Sequence, residues 1–437
     1  MTRMNTSSSI DRINNYTYKL LENNNVPVEF SDDIRELTSD DVAAEPCAAR
    51  MDLRDLACFT IDCDDTKDMD DAVSIQREGN GYVLGVHIAD VAAYVTPFSI
   101  LDEEATYRGT SVYLPNMTIP MLPAFLSNDL CSLNPFVDRN AISVLIHLNR
   151  NGEVSGYSIT KSLIRSRVQG KYSEVNRLFT GDATSAIYDK YASVFEQLED
   201  MRAVAVNLRQ HRMEAGANIS ADKAPKVILT KRGVELRCVE KGIAEEIIEE
   251  FMVLANSLVA EYFETHNIPT IYRTQARKQT LAEYATDAEI HAELALERYV
   301  HFTSPIRRLA DLKVHQMLTG YLNGLTSQEL QDTYGEELEY ASEEAVRRSR
   351  RANSIERACL RFCYGQYFLD RQSYTYSAHV TGFTQQNRPI ISIDEYQVTA
   401  LGSAALRTFV GEAVSVRVEV ETRTGRLLAH RVWACAA

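Results

Sequence analysis

Six of the ten residues from Asp62 to Asp71 are aspartates, and like charge at that density is tolerated only with open solvent or a bound counter-charge. The stretch reads Thr60-Ile61-Asp62-Cys63-Asp64-Asp65-Thr66-Lys67-Asp68-Met69-Asp70-Asp71. Apolar segments at 59–63 and 72–76 flank it and pattern as short strands. A solvated acidic turn needs nothing further. A cation-binding loop would use the hard carboxylate oxygens for magnesium, manganese or calcium. Positions 62, 64, 66, 68 and 70 match the alternation of an EF-hand calcium loop. However, the sixth position is Lys67, where glycine makes the turn, and the twelfth is Val73, where a bidentate glutamate belongs. The strand-like flanks also oppose that reading, and it fails. Phosphodiester chemistry remains: two divalent ions roughly 4 Å apart activate water and stabilise the leaving oxygen, held by several carboxylates.

Composition pulls the other way. Forty-six basic against 61 acidic residues gives a net charge of −15, the wrong sign for a general nucleic-acid binder. Taken alone it favours an enzyme of small molecules, unless a basic channel and bound cations reverse the local field. No run reaches the roughly 18 apolar residues of a membrane span. Residues 1–15 lack the apolar centre of a signal peptide. The eight cysteines include no Cys-x-x-Cys pair, so reduced thiols in a cytoplasmic protein are expected.

The pattern along the chain predicts an α+β protein in three parts. Residues 1–50 are polar, with a short helical pattern at 16–23, and read as an arm or linker. Residues 51–371 read as a catalytic domain of mixed sheet and packed helices. Its strands fall at 82–88, 142–148 and 154–167, and one helix spans 184–213. A hairpin over 226–239 turns at Lys231-Arg232-Gly233. Ile243, Ile247, Phe251, Leu254 and Leu258 form one apolar helical stripe. Ser304-Pro305 reads as a capped helix start, and Thr326-x-x-Glu329 as a capping box opening a long helix to about 370. Residues 372–437 return to strands at 377–384, 389–394, 413–421 and 427–432, as in a small OB-like barrel.

A site that meets phosphate needs a cation, and His301-Phe302-Thr303-Ser304-Pro305-Ile306-Arg307-Arg308 offers one. Arg307 in a first helical turn would add its guanidinium to the positive end of the helix dipole. A capped helix with a surface arginine is the plainer alternative. The two segments occur together with Asp52-Leu53-Arg54-Asp55-Leu56, Tyr113-Leu114-Pro115, Ile119-Pro120-Met121-Leu122-Pro123 and Leu126-Ser127-x-x-Leu130-Cys131-Ser132-Leu133. In that order, over about 52–370, they resemble the RNB catalytic domain of the ribonuclease II and R family.

The resemblance implies hydrolysis of single-stranded RNA from its 3′ end to nucleoside 5′-monophosphates, with magnesium, or manganese, as cofactor. It implies that Asp62, Asp68, Asp70 and Asp71 are the metal-binding and catalytic aspartates, with Asp70 organising the attacking water, and that Arg307 holds the scissile phosphate. Tyr113 and Glu249 match residues that fix the 3′-terminal nucleotide. Tyr172 matches a second aromatic on the RNA path, Arg308 is a further substrate contact, and Glu356 matches a position that modulates RNA binding. Aromatic faces hold unstacked bases at roughly 1–3 kcal/mol each without sequence preference. For Tyr113 by itself a core tyrosine is the plainer reading, and for Glu249 a solvated helix face. A monomer binding single-stranded RNA, with no membrane association, is expected.

The sequence departs from the family pattern in four places. About 50 residues precede the catalytic segment, too few for the usual N-terminal cold-shock domains. The segment between 273 and 299 is short. Ser220 stands where the family stacks a phenylalanine on bases, and the C-terminal barrel lacks a Gly-Phe-Phe-type aromatic face. These departures predict a shortened enzyme with weaker contacts to RNA. The rival readings are a non-catalytic RNA-binding protein on the same fold and a small-molecule phosphodiesterase.

Overall fold

The computed structural model describes residues 8–42, 50–219, 223–403 and 407–432. Its central sheet has five strands in the order Met51–Asp52, Val154–Arg165, Asp138–Leu148, Gly81–Ala89 and Asp71–Glu78. The four long strands pair antiparallel and the short first one joins parallel. Alternating apolar residues such as Ile142, Val144, Ile146 and Leu148 are fully or almost fully buried, so the period-two pattern marks the core face. The helices Phe195–Glu214, Ile243–Thr265 and Leu309–Leu322 contribute to the same apolar cluster as the sheet. No helix among the described residues is long and apolar enough to cross a membrane.

Three predicted elements change on folding. Within the expected 1–50 arm, residues Ser9–Asn23 form a helix that docks. Its Tyr16 ring stacks on Phe362 at 4.0 Å, and Arg12 Nε donates to Gln366 Oε1 at 2.7 Å. The single helix expected over 184–213 breaks into Ser185–Tyr191 and Phe195–Glu214. Tyr191 explains the break: its buried hydroxyl accepts from the Lys171 N–H (2.9 Å) and donates to Glu174 (2.8 Å), which pins the first piece to a neighbouring segment. The third change concerns Ser304-Pro305, which is a turn, with the helix beginning at Leu309. The capping box at Thr326 and Glu329 does open a long helix, Ser327–Leu369.

The strands Tyr376–Phe383, Pro389–Ile393, Val398–Gly402, Ala413–Glu421 and Arg426–Arg431 close into a barrel. One strand, Val398–Gly402, is short and falls outside the four that alternation picks out. The barrel is seated on the long helix through two glycines. A Cβ on Gly365 would strike the Gly425 backbone, and one on Gly425 would strike the backbone of Phe362, so only glycine permits the contact. Gly425 also takes a φ of +72°, which glycine adopts without strain.

His87 lies buried in the middle of the central sheet, between the hydroxyls of Ser74 (2.9 Å) and Ser143 (2.7 Å). Gly85 makes the room, since a side chain there would collide with both Ser74 and His87. Burial pushes the imidazole down to about 4, so it folds neutral. An unfolded histidine titrates near 6.5, so the unfolded chain takes up the extra proton as pH falls from about 6.5 to about 4. Folding stability should therefore drop across that window by up to about 3 kcal/mol from this residue. Urea melts at a series of pH values check this: His87→Gln should lose less stability between pH 6.5 and 4 than the unsubstituted protein, and equal slopes would refute it.

Candidate active site

The aspartate loop is tied down at both ends and in its middle. Asp62 ends the strand Thr60–Asp62, which pairs parallel with Gln169–Lys171. Asp71 begins the edge strand of the central sheet, opposite Ile88. Phe59 and Val73 exchange backbone hydrogen bonds at 3.1 and 2.9 Å, drawing the loop's two flanks together. Between them Met69 is buried and Ser132 pins the chain: its hydroxyl accepts from the Met69 N–H (3.1 Å) and donates to the Lys67 carbonyl (2.8 Å). With Met69 inward, the flanking Asp68 and Asp70 line a cavity of about 530 Å³ together with Asp62 and Asp71. Asp64 and Asp65 are exposed and do not line it.

Arg307 meets the loop from the turn that precedes the Leu309–Leu322 helix, and not from a first helical turn. The difference has a physical cause. Ser111 N–H donates to the Arg307 carbonyl and Leu309 N–H to the Gly109 carbonyl, both at 3.0 Å, which pulls this stretch out against residues 109–111. The Ile306 N–H is thereby free to donate to Asp70 Oδ1 at 2.8 Å, while Arg307 Nε donates to Asp70 Oδ2 at 3.2 Å. Arg307 Nη2 donates to Ser304 Oγ at 2.7 Å. Its side chain stays 40% exposed, so the guanidinium faces the cavity with surface to spare.

The cavity's electrostatics follow from burial. Asp70 is pushed up to about 8 by desolvation, opposed by Arg307 and the Ile306 N–H. Asp62 also rises, first through burial and then through Asp71, Asp70 and Asp68; Asp71 rises through burial against the pull of Arg307 and Arg308. Asp62, Asp70 and Asp71, three acids that resist ionising beside one another, are a donor set in want of positive charge. Asp62 Oδ2 is buried without a hydrogen-bond partner, a further sign that it is short of a cation. Among the described residues no three acidic, histidine or cysteine side chains are already gathered as a metal-ligand cluster. Asp68 Oδ2 is instead engaged by the Tyr113 hydroxyl at 2.9 Å and Asp70 by the arginine turn. The fit to a divalent ion therefore rests on the chemistry of the oxygens and the orphaned atom.

Residues 50–281 and 276–324 match the RNB domain. The chain belongs to the RNB domain family. It is similar to Ribonuclease R 1 of Lactococcus lactis, 32% identical over 410 residues that cover 81% of this chain and 50% of that protein. Ribonuclease R of Thermotoga maritima is 33% identical over 404 residues, covering 79% of this chain and 56% of that protein. The chain thus spans about half the length of the curated relatives it matches. Among solved structures, Mycoplasma genitalium RNase R in complex with ribose-methylated single-stranded RNA superposes with a TM-score of 0.86 at 22% identity, covering 97% of this chain and 78% of that one. At that identity the likeness shows a shared fold.

The other residues implied by the family pattern are distributed unevenly around the RNB cavity. Tyr113, Tyr172, Glu249 and Arg308 line it, and Glu356 does not. Glu356 Oε1 accepts the Tyr113 N–H at 2.9 Å, so it touches the backbone of a residue that lines the cavity. Arg308 is committed elsewhere: its Nη2 donates to Asp311 at 2.7 Å, and its buried Nε has no partner. Glu249 is ion-paired with Lys241 and lies 3.6 Å from Arg212, two cations that the motifs did not single out. Ser220 lies outside the described residues. The motif reading also missed Asn256, which lines the cavity and donates to the Tyr299 hydroxyl at 2.9 Å. Glu249, Met252, Val253 and Asn256 are spaced i, i+3, i+4 and i+7, so one helical face carries all four, and that spacing was available in the sequence.

Removing one repelling carboxylate should stabilise the metal-free protein and remove its response to metal. Asp62→Asn is expected to gain roughly 0.5–2 kcal/mol in chelator, as relief of a strained functional site does. It should also lose the rise in Tm that magnesium gives the unsubstituted protein through binding to the folded state. Thermal melts in chelator and in magnesium check both; an unchanged magnesium response in Asp62→Asn would rule this carboxylate out as a ligand.

Proposed function

We propose that this chain is a 3′-to-5′ exoribonuclease that hydrolyses single-stranded RNA to nucleoside 5′-monophosphates with magnesium, manganese being the alternative ion. One observation carries the reading: Asp70 holds Ile306 at 2.8 Å and Arg307 at 3.2 Å, which brings four aspartates and a partly exposed guanidinium to one cavity. A retired site has no physical need to bury repelling carboxylates. Ribonuclease R relatives that cover most of this chain support the same reaction.

A divalent ion held by Asp62, Asp68 and Asp71 would supply positive charge to the phosphate and lower the proton affinity of a bound water. The chain's own groups do the rest. Arg307 holds the scissile phosphate, its orientation fixed by Asp70 and Ser304. Asp70, whose proton affinity burial raises, takes a proton from the attacking water. Tyr113 presents a half-exposed ring to the terminal base, and Glu249 offers a carboxylate to the ribose hydroxyls. Tyr172 lines the strand's approach, and Glu356 sets Tyr113 in place. In this reading residues 51–371 form the catalytic unit and the C-terminal barrel, 372–437, grips RNA upstream, on a monomer.

A 5′-labelled single-stranded RNA incubated with magnesium should shorten in a one-nucleotide ladder, and chelator should stop it. Loss of label as a mononucleotide at the first step, or preference for cyclic or dinucleotide substrates, would overturn the reading. Asp70→Asn should keep RNA binding and reduce hydrolysis at least about 100-fold, the scale of a lost general base. Near-normal turnover in that variant would remove Asp70 from the chemistry.

A further inference from the structure

We propose that a second cavity, which meets the first at Tyr113 and Asp68, is the passage by which the cleaved mononucleotide leaves. The proposal rests on the exoribonuclease reading above. This cavity measures about 460 Å³, within the roughly 300–1,000 Å³ that small-molecule sites occupy. Thr118, Ala124, Ser127 and Asn128 contribute to its wall. It adjoins the active-site cavity so closely that Cys63, Thr66, Asp68 and Tyr113 line both.

The partition between the two spaces is thin. Cys63, Thr66, Asp68 and Tyr113 stand between them, and Tyr113 is joined to Asp68 by one hydrogen bond of 2.9 Å. Tyr113 is 42% exposed, so its ring is not locked into the core and can swing when that bond opens. Tyr113 stands on a short hairpin, Val112–Leu114 with Met117–Ile119, where Thr118 is its cross-strand partner. The hairpin therefore gives the partition its ring and the cavity beyond it one side, Thr118, while the aspartate loop gives Cys63, Asp65, Thr66, Lys67 and Asp68.

Geometry sets the direction of travel. Tyr113 and Glu249 hold the 3′-terminal nucleotide in the proposed reaction, so the space behind Tyr113 lies past the chain's end. After hydrolysis the monophosphate is confined between the carboxylates and the shortened strand, which still fills the side it came from. The second cavity is the neighbouring space that the strand does not occupy. Its ionisable lining is Asp65, Asp68 and Lys67, two carboxylates against one ammonium. A phosphate dianion is thus passed through and not retained, which suits an outlet and would be wrong for a storage site.

Thr118 and Ala124 are exposed and lie outside the catalytic set, so a bulky side chain at either fills the passage without disturbing the core. Thr118→Trp and Ala124→Trp should each cleave the first bond of 5′-labelled RNA, with enzyme in excess and magnesium present, within about twofold of the unsubstituted rate. With RNA in excess they should show a burst of one mononucleotide per enzyme, followed by a steady rate at least tenfold lower. Thr118→Ser should restore the steady rate. An unchanged steady rate in both tryptophan variants would overturn the passage and leave the nuclease reading standing. A loss of the first-bond rate would also overturn it, because filling an outlet does not slow bond cleavage. Absence of metal-dependent mononucleotide release from the unsubstituted protein would instead overturn the nuclease reading itself.

Discussion

The Asp70 carboxylate accepts the Ile306 N–H at 2.8 Å and Arg307 Nε at 3.2 Å, joining two segments 236 residues apart. Everything proposed for the cavity depends on that junction. The loop alone is a run of repelling acids, and the arginine turn alone is a strand-like excursion before a helix. Bonded through Asp70, each supplies what the other lacks: the turn receives an acceptor for a backbone N–H that would otherwise be buried unsatisfied, and the loop's cavity-facing acids receive a positive charge. The junction also explains why the chain leaves Ser304 without entering the helix at once. An immediate helix would direct the Ile306 N–H along the helix axis and away from Asp70.

The loop's remaining charge is held in place by mechanical anchoring. Buried Met69, the Ser132 clasp and the paired flanks at Phe59 and Val73 stop the acids from relaxing outward. Burial raises the proton affinity of Asp62, Asp70 and Asp71, and their neighbours add to it at Asp62. Stability is thereby given up at the site and offset by the sheet and the helices packed behind it, the usual relation between a preorganised site and its scaffold.

Much of this was legible from residue patterns, for identifiable reasons. Strand alternation over 142–148 and the capping box at Thr326 rest on local physics, and both elements formed as read. The aspartate loop and the arginine motif could be paired because several motifs occur in register, yet local rules misplaced Arg307 in a helix. The determinant there is the contact with residues 109–111, about two hundred positions away, which a helix-start pattern does not encode. Tyr191 broke an expected helix for the same kind of reason. In the strand Val398–Gly402 the inward positions after Val398 are the small Ala400 and Gly402, while Leu401 faces the other way, so hydrophobicity does not mark the alternation. Lys241 and Arg212 were invisible because a lone cation in sequence does not reveal which carboxylate it will face. Glu356 was noticed through the family pattern, but its bond to the Tyr113 backbone belongs to the fold.

The glycine seam between the long helix and the barrel bears on how the proposed enzyme would perceive substrate length. At Gly365 and Gly425 backbone lies against backbone with no side chain between, so a pivot of the barrel there would open a gap in close packing. A barrel fixed in that way stands at a constant separation from the cavity, like the far jaw of a caliper. If the barrel grips RNA as proposed, an oligonucleotide either reaches across that span and touches both jaws or falls short and touches one, so affinity should change in a step with chain length and not in a smooth slope.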